Sequence, residues 1–150
     1  MSEPMIVRSS IHIQAPASKV WEALTSAELT KKYMFGCAAI SDWQVGSPLL
    51  WKGVFNGAEI VAVKGNVVDF QPFHRLAFTT FDPNSAIEDI PENYVTATYT
   101  LTEADGGTLL EVSQGDFATV ADGERRYNET DNNGQGWTPI LVEIKKLVEA

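Results

Sequence analysis

A chain of 150 residues predicts one domain, residues 1–150, long enough to bury most of its unfolded surface without a metal or a disulfide. Its 11 lysines and arginines face 20 aspartates and glutamates, a net charge of −9 that repels phosphate backbones and anionic lipid, so nucleic acid is excluded as a partner. Cys37 is the single cysteine, which excludes an intrachain disulfide and points to a reducing compartment. The start Met1-Ser-Glu-Pro4 lacks the basic and apolar regions of a signal peptide, and no apolar run approaches the ~20 residues of a membrane span. The expected location is cytoplasmic, with no membrane insertion.

Taken in order, Val7, Ser9, Ile11 and Ile13 alternate with Ile6, Arg8, Ser10 and His12, the period of a strand with one covered face. Ala15-Pro16-Ala17-Ser18 interrupts it, and Val20, Trp21, Ala23 and Leu24 then take helical spacing up to about Thr25. Ser26 is placed to cap a second short helix from about Ala27 to Tyr33, with Glu28 near its free N–H groups. From Cys37 to Phe117, clusters of Gly, Pro, Asn and Asp separate stretches rich in Val, Phe, Tyr and Thr, the pattern of an antiparallel meander. Six strands are predicted there: Ala38 to Asp42, Leu49 to Phe55, Glu59 to Phe70, Arg75 to Phe81, Tyr94 to Thr102 and Thr108 to Asp116. Asn56-Gly57 and Ala104-Asp-Gly-Gly107 read as hairpin turns, Gly65 as a bulge, and Asp82 to Asn93 as an acidic loop.

The chain ends in its clearest amphipathic helix. Trp137, Ile140, Leu141, Ile144, Leu147 and Val148 form one stripe, while Glu143, Lys145, Lys146 and Glu149 take the other side. Burying such side chains at ~1.5–3 kcal/mol each makes this helix a large share of the core before ordering entropy is subtracted. Pro139 falls near its start, so either Thr138 caps a helix beginning at Pro139 or an earlier turn is bent there. A strongly curved sheet of seven strands gripping this helix, with two short helices after the first strand, uses all the apolar faces; the class is α+β.

The segments Ile11-x-Ile-x-Ala-Pro-x-x-x-Val-Trp-x-Ala-Leu-Thr25, Trp51-Lys-Gly, Gly65-x-Val and Pro72-x-x-x-Leu-x-x-Thr79 are followed by Pro91-Glu-Asn-Tyr94, Gly107-Thr-x-Leu110 and Gly136-Trp137. Together, over nearly the whole chain, they resemble the START-like superfamily, and within it the proteins named after activators of the heat-shock-protein ATPase. The resemblance implies a helix-grip fold around an internal cavity. Through the family's name it also implies a co-chaperone-like role in the stress response, with a heat-shock ATPase as partner. Function does not follow from the fold.

Direct inspection for chemistry is mostly negative. No Cys/His cluster has metal spacing, and neither a Gly-rich phosphate loop nor a Gly-x-Ser-x-Gly elbow occurs, so no metal, cofactor or catalytic residue is assigned. His12 reads as a solvated strand residue, His74 as part of a turn, and Cys37 as a small buried residue without a nearby base. Asp82, Glu88, Asp89 and Glu92 lack the spacing of a calcium loop and read as a solvated rim. What remains is an aromatic-rich interior with few polar groups: Met34, Phe35, Trp51, Phe55, Phe78, Thr80, Tyr99, Gln114, Trp137 and Leu141. Individually Phe78 and Leu141 fit a plain core better, but a curved sheet and one helix leave a concavity that the set would line as a ligand cavity. Arg125 and Arg126, with Tyr127, precede the helix and are placed to clamp an anionic group at the mouth, pairing with neighbouring acids being the simpler account. The expected function is non-enzymatic binding of a small, largely apolar molecule. The alternatives are a protein-interaction module acting on a heat-shock ATPase and a cyclase- or aromatase-like enzyme that orients a polyketide-like substrate.

Overall fold

The computed structural model describes residues 4–150; the start of the chain, on which the expectation of no signal peptide rests, lies outside the described residues. Strand β1 (Val7–Ile13) leads into helices α1 (Ala17–Thr25) and α2 (Ala27–Tyr33). Strands β2 (Ala38–Ser41), β3 (Pro48–Phe55), β4 (Ala58–Gln71), β5 (Arg75–Thr80), β6 (Val95–Ala104) and β7 (Gly107–Gly115) follow, then helices α3 (Gly123–Asp131) and α4 (Thr138–Glu149). All seven strands form one antiparallel sheet in the order β1-β7-β6-β5-β4-β3-β2, so the meander runs across the sheet and β1 closes on its last strand. Two-period alternation puts Val95, Ala97, Tyr99 and Leu101 of β6 and Leu110 and Val112 of β7 on the buried face. Leu141, Ile144 and Val148 of α4 are buried with them in one core cluster.

Helix α4 is fastened to β1 at several points. Lys145 Nζ donates to the His12 carbonyl at 2.8 Å, and the Gln14 N–H donates to Glu149 Oε2 at 2.7 Å. Near the start of α4 the Trp137 N–H donates to Ser9 Oγ at 3.0 Å, and Gly136 (φ 53°) runs so close to β1 that a Cβ there would stand 2.8 Å from the same oxygen. Helix α2 is tied to β2 by Thr30, which is fully buried: its hydroxyl donates to the Ala27 carbonyl and accepts the Ala39 N–H at 2.9 Å.

Several local expectations are corrected. The bulges of β4 fall at Ala62 and Val68, where the register to β3 and β5 slips, and not at Gly65. Gly65 sits in register with Leu49, and its missing side chain admits the next strand: a Cβ would lie 1.7 Å from the Thr79 carbonyl oxygen. Ser26 occupies the N-cap of α2 without a side-chain cap bond; its carbonyl accepts the Leu29 and Thr30 N–H groups instead. Thr138 is the first residue of α4 and Pro139 the second, where an N–H has no intrahelical acceptor, so the proline is accommodated without a bend. His12 is half-buried, and its Nε2–H donates to the Ala104 carbonyl at 2.8 Å rather than to solvent. Helix α3 was not predicted: its polar sequence has no apolar stripe, and it is bounded by Asp122 and Asn132, both in the left-handed region.

Candidate functional site

One end of the sheet is not filled by side chains. There, the C-terminal ends of β5 and β7, the start of β6 and the β3–β4 pair face the junction of α3 and α4, enclosing a cavity of about 570 Å³. Trp51 and Phe55 come from β3, Phe78 and Phe81 from β5 and its continuation, Phe117 from the turn after β7, Trp137 from the residue just before α4, and Ile140 from α4. Met34, Phe35 and Cys37 close the side beneath α2. The walls are therefore aromatic, the rings delivered by the inward parity of strands, by the turns that hold Phe35 and Phe117, and by Trp137 at the start of α4. Trp51, Phe78, Tyr99 and Trp137 form a continuous row with ring centroids 6.0, 5.9 and 5.8 Å apart.

A single string of polar groups crosses this apolar surface. Trp137 Nε1–H donates to Gln114 Oε1 at 3.0 Å, Gln114 Nε2 donates to Thr80 Oγ1 at 3.1 Å, and the Thr80 hydroxyl donates to the Val95 carbonyl at 2.8 Å. The string ties α4, β7, β5 and β6 together at the cavity wall. The buried dipoles of Trp137 and Thr80 are satisfied, and one Gln114 N–H is spare among the described residues.

Eight of the ten residues singled out above line this cavity: Met34, Phe35, Trp51, Phe55, Phe78, Thr80, Gln114 and Trp137. Tyr99 and Leu141 do not. Tyr99 packs behind Phe78 and edge-on to Trp137 with 1 % of its surface exposed, and its hydroxyl has no hydrogen-bond partner among the described residues. That burial raises its pKa well above the tyrosine range, so the phenol stays neutral. Leu141 is fully buried in the core beside Ile144. Phe81, Phe117, Ile140 and Val95 also line the cavity and were missed. Phe81 and Val95 were visible as strand-end apolar residues, whereas nothing in the sequence brings Phe117 to the site before the turn after β7 is known.

The mouth carries the charge. Arg125 pairs with Asp122 and, at 2.9 Å, with Glu129, following the simpler account of its role. Arg126 donates from Nη1 to the Ala121 carbonyl at 3.2 Å, and Tyr127 stands edge-on to Phe117. In the acidic loop Asp89 is held by Lys64 and by the Tyr94 hydroxyl, which together lower its pKa. His12 and His74 lie away from the cavity, and burial pushes the Cys37 thiol up, away from thiolate. Among the described residues no cluster of His, Cys, Asp and Glu has the geometry to hold a metal ion, and no helix is long and apolar enough to cross a membrane.

Comparison with known proteins places this architecture. Residues 14–149 match the family model described as activator of Hsp90 ATPase homolog 1-like protein. No curated protein matches the chain. Among solved structures, ChR145 from Cytophaga hutchinsonii is 35% identical, with a TM-score of 0.77 over 99% of this chain and 97% of that one. The Aha1 dimer from Colwellia psychrerythraea is 19% identical, with a TM-score of 0.68 over 96% of each chain. DynU16, a protein in the dynemicin biosynthetic locus, is 17% identical with a TM-score of 0.71, and this chain covers 99% of its own length but 48% of DynU16. The last two likenesses concern the fold alone.

Proposed function

The chain belongs to the activator of Hsp90 ATPase homolog 1-like family, within the START-like superfamily, and from that premise we propose that it binds a small, largely apolar molecule in its cavity without turning it over. The observation that carries this reading is the cavity itself: about 570 Å³ walled by aromatic rings at the open end of the sheet. That size falls within the ~300–1,000 Å³ of small-molecule sites. A chain selected for stability alone would close such a space, because unfilled apolar volume forfeits dispersion contacts. The Trp137–Gln114–Thr80 string supports the same reading, since its spare Gln114 N–H gives an apolar ligand one point of orientation. The reading involves neither cofactor nor metal, and a single protonated thiol suits a reducing, cytoplasmic setting. The test is native mass spectrometry on protein purified from its own source, together with titration by phenylnaphthylamine, a neutral fluorescent apolar dye. Saturable binding of one dye per chain is expected; absence of both a carried ligand and dye binding would refute the proposal.

A second reading has its own observation. On the β3–β4 hairpin Val54 is 69 % exposed on one face and Ile60 is 37 % exposed on the other, apolar side chains that a partner protein enclosing the hairpin would cover. Together with the family's name, this favours a co-chaperone-like module acting on a heat-shock ATPase. Loss of ATPase stimulation on Val54→Ser with Ile60→Ser, with dye binding intact, is the result that reading requires. A cyclase- or aromatase-like reaction would need a proton-transferring group beside the aromatic walls, and the protonated Cys37 is a poor candidate for it.

A further inference from the structure

The cavity mouth is built from groups whose charges are mostly already spent. Arg125 is held by Asp122 and Glu129, and Glu129 is occupied by that pair, while Asp82 accepts the Asn84 N–H at 2.8 Å and forms no ion pair among the described residues. Arg126 differs. It lines the same cavity and is half-buried, yet among the described residues no carboxylate lies within 4.0 Å of its guanidinium. Among the described residues its one side-chain hydrogen bond, from Nη1 to the Ala121 carbonyl at 3.2 Å, leaves most of its donors unused. Asp82 and Asp122 attract it from a distance, and Arg125 repels it.

We infer that the ligand of this cavity is an amphipathic anion, an apolar body ending in a carboxylate or sulfonate-like group, and that Arg126 takes that group at the mouth. The inference rests on the cavity being a ligand site. Arg126 can present a planar fork of two N–H groups to a carboxylate while the body of the ligand lies against Trp51, Phe78 and Trp137. Burial and the adjacent Arg125 both disfavour its charge and push its pKa down, so an incoming anion returns the stabilisation that lost hydration removed. The protein as a whole carries a net charge of −9, so long-range attraction cannot account for a preference for anions; a local cation is required.

The test uses a matched pair of fluorescent probes: anilinonaphthalene sulfonate, and phenylnaphthylamine, the same ring system without the sulfonate. Wild type is expected to bind the sulfonate more tightly than the neutral probe. Arg126→Gln should weaken sulfonate binding by about tenfold or more, the size of one charge-assisted pair, and leave phenylnaphthylamine within about twofold. Arg126→Lys should fall between the two proteins. Arg8→Gln, which removes the same unit of charge from an exposed position on β1, controls for overall electrostatics and should change neither affinity by more than about twofold. Retained neutral-probe binding also reports that the Arg126→Gln cavity is still folded. If phenylnaphthylamine binds but Arg126→Gln leaves the sulfonate affinity unchanged, or wild type prefers the neutral probe, the anion assignment is wrong and the cavity reading stands. If wild type binds neither probe, both readings fall.

Discussion

At the scale of single residues, the Trp137–Gln114 bond decides how the cavity wall is held. Gln114 Oε1 is the acceptor for the indole N–H, and both side chains are largely out of water, so losing either partner strands the other. Gln114→Leu and Trp137→Phe should each cost about 1–2 kcal/mol in urea unfolding, and the double variant clearly less than their sum, with a coupling near 1 kcal/mol. Strict additivity would show that the bond contributes nothing to the wall. Phe35 presents the opposite case, a large residue that costs stability where it stands. Its ring is 78 % exposed at the cavity edge, and its backbone is left-handed at φ 54°, a conformation unfavourable by ~1–2 kcal/mol for most residues. Phe35→Asn, which tolerates that backbone, should raise stability by about 0.5–1 kcal/mol while weakening phenylnaphthylamine binding several-fold. A loss of more than about 1 kcal/mol would mean that the ring packs where it contributes to the fold.

At the scale of elements, two junctions are open to test. Pro139 stands in the first turn of α4, where it removes no helical bond, so Pro139→Ala should change stability by less than about 1 kcal/mol; a gain above ~2 kcal/mol would mark it as a helix breaker. At the end of β7, the Asp116 carboxylate accepts the Met5 and Ala118 N–H groups, each at 2.8 Å, and these hold its pKa below the usual 3.8. A carboxyl whose folded pKa lies below its unfolded one contributes stability above the unfolded value and loses it as pH falls through the folded value. The gap in urea midpoint between wild type and Asp116→Asn should therefore be present at neutral pH and close as pH falls through and below the usual carboxylate range. A gap independent of pH would mean that the carboxylate's charge is irrelevant to this junction. Seven strands, two short helices and α4 were legible in the sequence because each carries its own apolar period and is bounded by turn residues. Helix α3 was not, because a helix with no apolar face leaves no periodic trace and is placed by tertiary contacts such as Tyr127 on Phe117. The bulge was misplaced for a related reason: a strand glycine records crowding by a neighbouring backbone, and the sequence does not say whose. Of the site, parity identified the inward aromatic residues but not their depth. That is why Tyr99 and Leu141, inward like the rest yet further from the open end, belong to the core.

At the scale of the whole molecule, the sheet, α4 and the cavity form one thermodynamic unit, because the walls come from elements far apart in sequence and vanish together on unfolding. A ligand held by those walls has no site in the unfolded chain, so its binding must appear as global stability. At a hundredfold excess over its dissociation constant, phenylnaphthylamine should add about 2.7 kcal/mol, which for a chain of this size raises Tm by roughly 5–10 °C, increasing with dye concentration. The exposed β3–β4 hairpin is the competing site. Dye adsorbed there would have the same apolar residues available after unfolding, and so would leave Tm unchanged or lower it. Val63→Trp separates the two: Val63 lines the cavity from β4 in register with Trp51, and an indole there fills space the dye would need. Thermal scans of both proteins with and without dye give the answer. A dye-induced rise in wild type that disappears in Val63→Trp, with the dye-free midpoint held within a few degrees, assigns binding to the interior. A rise that persists undiminished in the filled variant would move the site to the surface, and with it the function from ligand carriage to interaction with another protein.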